Sequence, residues 1–244
     1  MEIVVLGRYG SFAGRDGACS GYLIKMNKSA ILVDCGNGTM SRLQRYCRIE
    51  DLEAIVISHL HDDHIGDLRI LRYAIETKKA FKQFNGRVKI FMPQSPTTTA
   101  QEMARHDIFD IEYIHDGMVV KLHELSLEFA LMKHSIESYA ISVEKGQKRL
   151  VYTADTVYNE KIISFSENAD LLISEATFAD LSSLNVPVPH MDALHAGLVA
   201  KGAEVKKLLL THFWYEEDID KCVEAARQNF SDTWAAEELK KYSI

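Results

Sequence analysis

No run of apolar residues in this 244-residue chain approaches the roughly 20 needed to span a bilayer, so no membrane-crossing helix is expected. Cysteine is scarce: Cys19, Cys35, Cys47 and Cys222 are widely spaced and form no C-x-x-C pair. That scarcity argues against a disulfide framework and for reduced thiols in a cytoplasmic protein. Proline is as scarce, and Pro93, Pro96, Pro187 and Pro189 fall in two expected loops rather than in a linker. No low-complexity segment is present either, and a single domain over residues 1–244 is expected. Positive charge is in deficit, with 28 Lys+Arg against 35 Asp+Glu. The resulting net charge of -7 argues against strong non-specific binding to nucleic acid or to an anionic membrane. The first residues, "MEIVVLGRYG", lack a basic start followed by a long apolar run, and read as a β-strand rather than a signal peptide.

What is present alternates between strand and helix signals. "EIVVLG", "SGYLIKMN" and "SAILVDCGNG" are apolar runs, the last stopping at Asp34 before Gly36 and Gly38. Between the first two lies the Gly-rich loop "GRYGSFAGRDGACSG". A helix is predicted over "MSRLQRYCRI", a strand over "EAIVIS", and a helix over "DLRILRYAIETKKAF", whose apolar residues recur at helical spacing. A strand "RVKIFMP" and a helix "TTTAQEMARH" follow, then a strand-rich stretch from about residue 109 to 153. The last third alternates again: strand "ADLLISEA", helix "DALHAGLVAKG", strand "VKKLLLTH", helix "EEDIDKCVEAARQNF". Two similar halves are suggested by two echoes, "AILVDCG" with "RLVYTAD" and "AIVISH" with "KLLLTH".

The densest chemistry lies in "SHLHDDHIGD", which places His59, His61 and His64 within six positions, with Asp62 and Asp63 among them. Imidazole nitrogen and carboxylate oxygen suit zinc, and also manganese or iron. A helical reading scatters these side chains. A loop leaving the strand "EAIVIS" lets His59 and His61 point one way and Asp63 and His64 another, which implies two metals. Gly66 then permits a close turn into the next helix. One histidine would read as a surface residue; three histidines and two aspartates at a strand's mouth do not. The cluster cannot complete two coordination shells alone. His134, Asp155 and His212 each follow an apolar strand, where α/β proteins place site residues, and together they supply what is missing.

His59-x-His61-x-Asp63-His64, followed in order by His134, Asp155 and His212, resembles the metallo-β-lactamase superfamily. "VLGRYGSFAG", "ILVDCG", "TAD" and "THF" fall in family order as well, so the resemblance covers essentially the whole chain. It implies an α/β fold of the αββα type, two β-sheets face to face with helices outside. It also implies two divalent metal ions, zinc ahead of manganese. His59, His61 and His134 would bind one, Asp63, His64 and His212 the other, and Asp155 would bridge them, leaving Asp62 a bystander.

Within that superfamily, His61 stands where oxygen-reducing diiron members carry an acid, which disfavours redox chemistry. An aspartate rather than a cysteine as bridging ligand, with no secretion signal, disfavours antibiotic hydrolysis. "SEATF", "HMDALHAG" and "LLLTHF" resemble the ribonuclease Z and cyclic phosphodiesterase branch. The resemblance gives His190 contact with the reacting phosphate and Glu175 its support; in a two-metal mechanism Asp63 would orient the nucleophile. Asp192 is expected to cap the helix after His190. Ribonuclease Z carries a tRNA-gripping arm between the third metal histidine and the bridging aspartate. The segment from His134 to Asp155 holds only two strands and a turn, so a small nucleotide or short nucleic-acid phosphodiester is the better substrate. A homodimer is a further partner expectation. Two other readings stay open: a thioester, lactone or carboxylic-ester hydrolase, and a non-catalytic metal or nucleic-acid binding protein. The basic segment "TKKAFKQFNGRVK" reads as a solvated helix end, and His106, His115, His123 and His195 as structural or surface residues.

Overall fold

The computed structural model of the chain describes residues 1–25, 29–104 and 107–244. The last residues of the second expected strand, the end of the "TTTAQEMARH" helix and His106 lie outside that range. The fold is α/β, with two compact units, Met1–Ile114 with Glu237–Ser243, and His115–Ala236 with Ile244. Among the described residues no helix is long and apolar enough to cross a membrane. All four cysteines are free.

In the first unit the strands are β1 (Glu2–Gly7), β2 (Gly21–Lys25), β3 (Ala30–Val33), β4 (Leu52–Val56), β5 (Val88–Met92) and β6 (Phe109–Tyr113). They pair in sequence order, antiparallel from β1 to β3 and parallel from β3 to β6. A C-terminal strand, Lys241–Ser243, adds antiparallel to β1 and completes seven. β3 is buried at every position, as continuous apolar runs in parallel sheets require. The helices are α1 (Thr39–Leu43), α2 (Asp62–Ile65), α3 (Leu68–Ala80) and α4 (Thr97–Ala104). The helix predicted over "MSRLQRYCRI" shrinks to α1. Past Leu43 the backbone tightens to i→i+3 bonds, Arg45 to Arg42 and Tyr46 to Leu43, and the helix ends there.

The second unit repeats this pattern of directions. β7 (Val119–Leu122), β8 (Leu125–Met132), β9 (Ser138–Lys145) and β10 (Lys148–Tyr152) are antiparallel neighbours. β11 (Leu171–Glu175), β12 (Leu208–Thr211) and β13 (Thr233–Ala235) continue from β10 in parallel. Its helices are α5 (Glu160–Ser166), α6 (Ala193–Gly202) and α7 (Ile219–Arg227), capped by Asn159, Asp192 and Asp218. β3 therefore corresponds to β10 and β4 to β11. The likeness extends to a hydrogen bond: Asp34 after β3 accepts from the Ser58 amide, and Thr153 Oγ1 after β10 accepts from the Glu175 amide.

Candidate metal centre

Parallel strands deliver side chains at their carboxyl ends, and both units use those ends. In the first, β4 runs out through Ile57 and Ser58 into the cluster. The loop reading holds as far as His61, which caps the single turn α2 in extended conformation, and Asp62–Ile65 is helical. The extended stretch brings His59 Nε2 within 3.1 Å of His61 Nδ1. The turn of α2 then sets His64 Nε2 3.5 Å from Asp63 Oδ2. Gly66 serves by close approach rather than by a special φ, since a Cβ there would sit 2.9 Å from the Asp62 carbonyl oxygen. Gly36 is more constrained still. A Cβ would meet the Asp63 carbonyl oxygen at 2.0 Å, so only glycine lets the loop after β3 lie against the ligand turn.

Asp34 is the residue that sequence reasoning missed. It is fully buried, in the left-handed region at φ 57, and takes three donors. These are the Ser58 amide at 2.8 Å, Ser58 Oγ at 2.9 Å and His64 Nδ1 at 2.7 Å. Because the Ser58 hydroxyl gives its proton to Asp34, its lone pair accepts from His59 Nδ1 at 3.1 Å. Asp34 thus fixes the tautomers of two histidines, directly and through one hydroxyl, leaving each Nε2 with a lone pair. A third tie reaches the cluster from the Gly-rich loop, where the Ser11 amide donates to Asp63 Oδ2 at 2.6 Å.

In the second unit His212 and Ala154 are also left-handed, at φ 59 and 52, the first and second residues past their strands. Such conformations cost about 1–3 kcal/mol each and gather at functional sites. Asp155 Oδ2 is the point on which three imidazoles converge. His212 Nε2 is 3.2 Å away, His190 Nδ1 3.8 Å and His134 Nε2 3.9 Å. His134 Nδ1 lies 2.8 Å from the Pro189 carbonyl, and His212 Nδ1 3.1 Å from Thr177 Oγ1. Thr177 donates its own proton to Glu175 Oε2 at 3.0 Å, so the His212 proton sits on Nδ1 and Nε2 is again a lone pair. A lone-pair nitrogen facing a carboxylate calls for a cation between them. Each of these donors is a nitrogen or oxygen of the kind zinc and manganese accept, so the residues fit divalent metal.

Glu175 is fully buried and accepts from the Thr156 amide at 2.5 Å, from Thr177, and from His190 Nδ1 at 3.1 Å. Glu175 therefore stands against His190, with the ring of His190 stacked 5.2 Å from that of His212. Asp192 accepts from the His195 amide and caps α6, and His195 Nδ1 bonds the same carboxylate. His115 and His123 are exposed.

Burial holds His134 below its ordinary pKa of 6.5. Below that pH the unfolded chain binds a proton that the folded one resists, so stability falls as pH drops through about 6.5. Thermal melts of chelator-treated protein from about pH 5 to about pH 8 should show this decline, and His134→Gln should flatten it. An unchanged slope in the variant would remove His134 as its source.

A family model described as "Beta-lactamase superfamily domain" matches residues 29–213. The probable metallo-hydrolase YhfI of Bacillus subtilis (strain 168) is 35% identical over 214 residues, covering 87% of this chain and 86% of the relative. The crystal structure of YhfI, a metallo-beta-lactamase fold protein, aligns with a TM-score of 0.93, covering 99% and 98% of the two chains at 30% identity. A ribonuclease Z of Crocosphaera subtropica is 25% identical over 310 positions, covering 100% of this chain and 98% of its own. The crystal structure of a diphosphatase of the PhnP family has a TM-score of 0.76 at 15% identity, covering 100% and 97%, a likeness of fold.

Proposed function

The chain belongs to the beta-lactamase superfamily, and on that premise we propose that it is a binuclear-metal-dependent phosphodiesterase acting on small nucleotide diesters. The metal ligands in this reading are His59, His61 and His134 for one ion, Asp63, His64 and His212 for the other, with Asp155 shared. Its support is chemical. Each unit offers a partial shell of donors whose second ring nitrogens are already engaged, and neither set is complete alone. When bound, two such ions supply positive charge to phosphoryl oxygens and acidify water.

The observation that carries the phosphate reading is His190 held by Glu175 beside Asp155. With Nδ1–H committed to a buried carboxylate, His190 presents Nε2, and Glu175 favours the imidazolium that forms when Nε2 takes a proton. That cation can donate to a non-bridging oxygen and pass its proton to a leaving alkoxide. Its side chain keeps 16% of its surface exposed, enough for substrate to reach it. Asp63, fixed by the Ser11 amide, can orient the attacking water.

Size selects a small substrate. From His134 to Asp155 the chain forms the β9–β10 hairpin, whose strands pair from Lys148 opposite Lys145, with no inserted arm. The ribonuclease Z alignment runs over 310 positions against 244 residues here, so that relative has segments this chain lacks. The test is turnover of cyclic nucleotides, dinucleotides and short RNAs, beside ester and thioester panels, at defined zinc or manganese loading. His190→Ala should lower kcat on the preferred diester by on the order of 10²–10⁴-fold. Full activity in that variant, or turnover confined to carboxylic esters, would replace the phosphodiesterase reading with an ester-hydrolase one. Silence of the metal-replete protein across every panel would favour a binding protein.

A further inference from the structure

Asp62 takes no part in the hydrogen bonds that organise its neighbours. It nonetheless lines a cavity of about 290 Å³ in the first unit, with Ser11, Phe12, Asn37, Asp63 and Arg69. Ligand pockets run from about 300 to 1,000 Å³, so this one suits a single planar ring system and not an oligomer.

Its walls define what that ring must be. Phe12 is 47% exposed, although the unit buries most of its large apolar side chains. The backbone presents it: the Phe12 amide bonds the Gly10 carbonyl at 2.7 Å across Ser11, whose φ is 57. That is a γ-turn with its central residue at positive φ, a rare and strained form, and strain of this kind collects at functional sites. The same turn aims the Ser11 amide at Asp63 Oδ2, so Phe12 is fixed relative to a proposed metal ligand. Arg69, the one cation on the wall among the described residues, is engaged by Glu102 through two bonds of 2.9 Å. An anionic group would gain little there. Asp62 is exposed and offers carboxylate oxygens, while the Asn37 side-chain amide donates to Asp67 Oδ1 at 3.4 Å. An aromatic face, a carboxylate acceptor and a cation already matched describe a neutral flat ring bearing N–H donors.

We propose that this cavity is a nucleobase subsite that selects aminopurines, by stacking on Phe12 and by accepting the exocyclic amine at Asp62; it rests on the phosphodiesterase reading for its place beside the reacting phosphate. Base stacking is worth about 1–3 kcal/mol by alanine substitution, or about tenfold and more in affinity.

Equilibrium binding tests it without turnover. Wild type, Phe12→Ala and Asp62→Ala, each with its thermal midpoint checked, are titrated with AMP, GMP, purine riboside 5′-phosphate and ribose 5-phosphate. AMP and GMP should bind wild type about tenfold more tightly than ribose 5-phosphate, with the amine-free purine between. Phe12→Ala should bring the amine-free purine to the ribose 5-phosphate level and weaken AMP and GMP by the same factor. Asp62→Ala should bring AMP and GMP to the level of the amine-free purine. Equal binding of all four ligands, or a ranking that both variants leave intact, overturns the proposal. Turnover of bis(p-nitrophenyl) phosphate, which has no exocyclic amine, separates the two readings. Silence on that diester with the ranking intact removes the phosphodiesterase and keeps the subsite; turnover with no ranking removes the subsite alone.

Discussion

Asp34→Ala is expected to lower stability by about 3–5 kcal/mol, the range found when one partner of a buried charged network is removed. The wild-type carboxylate takes the Ser58 amide, Ser58 Oγ and His64 Nδ1 where no water replaces it. Alanine strands all three donors and must also sit at φ 57, a conformation that costs a residue with a Cβ about 1–2 kcal/mol. Metal affinity should fall as well, by about 10–100-fold, as is usual when the group orienting a ligating histidine is lost. Asp34→Asn tolerates the left-handed backbone and keeps an acceptor for the Ser58 amide, so it should lie between. Denaturant unfolding of chelated protein gives the first quantity and competition with a metal indicator gives the second. Unchanged affinity in a folded Asp34→Ala protein would reduce Asp34 to a scaffold residue.

Why Asp34 escaped sequence reasoning is instructive. An aspartate between an apolar run and Gly36 reads as a turn residue, and only the folded chain reveals that Ser58 and His64 return to it. The histidines proposed as metal ligands stood out in the sequence because three in six positions at a strand end have few other uses, and because the later ones each close an apolar run. Most strands were legible for the reason β3 and β12 are: parallel sheets buried on both sides demand unbroken runs of Val, Ile and Leu. Short elements were not. α2 is four residues long and α5 seven, too brief for helical periodicity to outweigh the loop signals around them. β13 and the strand Lys241–Ser243, three residues each, leave no pattern at all. The two halves were half read. "AILVDCG" and "RLVYTAD" lie on β3 and β10, which hold the same rank in their sheets. "AIVISH" and "KLLLTH" lie on β4 and β12, which do not, because an apolar run ending in histidine carries no register.

Asp155→Ala should have the opposite signature to Asp34→Ala. Its Oδ2 faces the Nε2 atoms of His212 and His134, both left with lone pairs by partners on Nδ1. An anion set against those two lone pairs gains little from them until a cation enters, so the chelated variant should lose much less stability than Asp34→Ala, a common exchange of stability for function. Its backbone carbonyl, which accepts from Ser138 Oγ at 2.9 Å, survives the substitution. In the proposed centre the variant loses the shared ligand. Metal content should drop from two ions per chain to one or none. Turnover should fall about a thousandfold or more, since the charge stabilisation at stake is several kcal/mol and each 1.36 kcal/mol is tenfold. Elemental analysis of the purified variant and kinetics on the preferred substrate would decide it. Two ions retained, with turnover within about tenfold of wild type, would deny Asp155 the bridging place. A variant that is destabilised when metal-free, yet retains both ions as purified, would make Asp155 a scaffold residue.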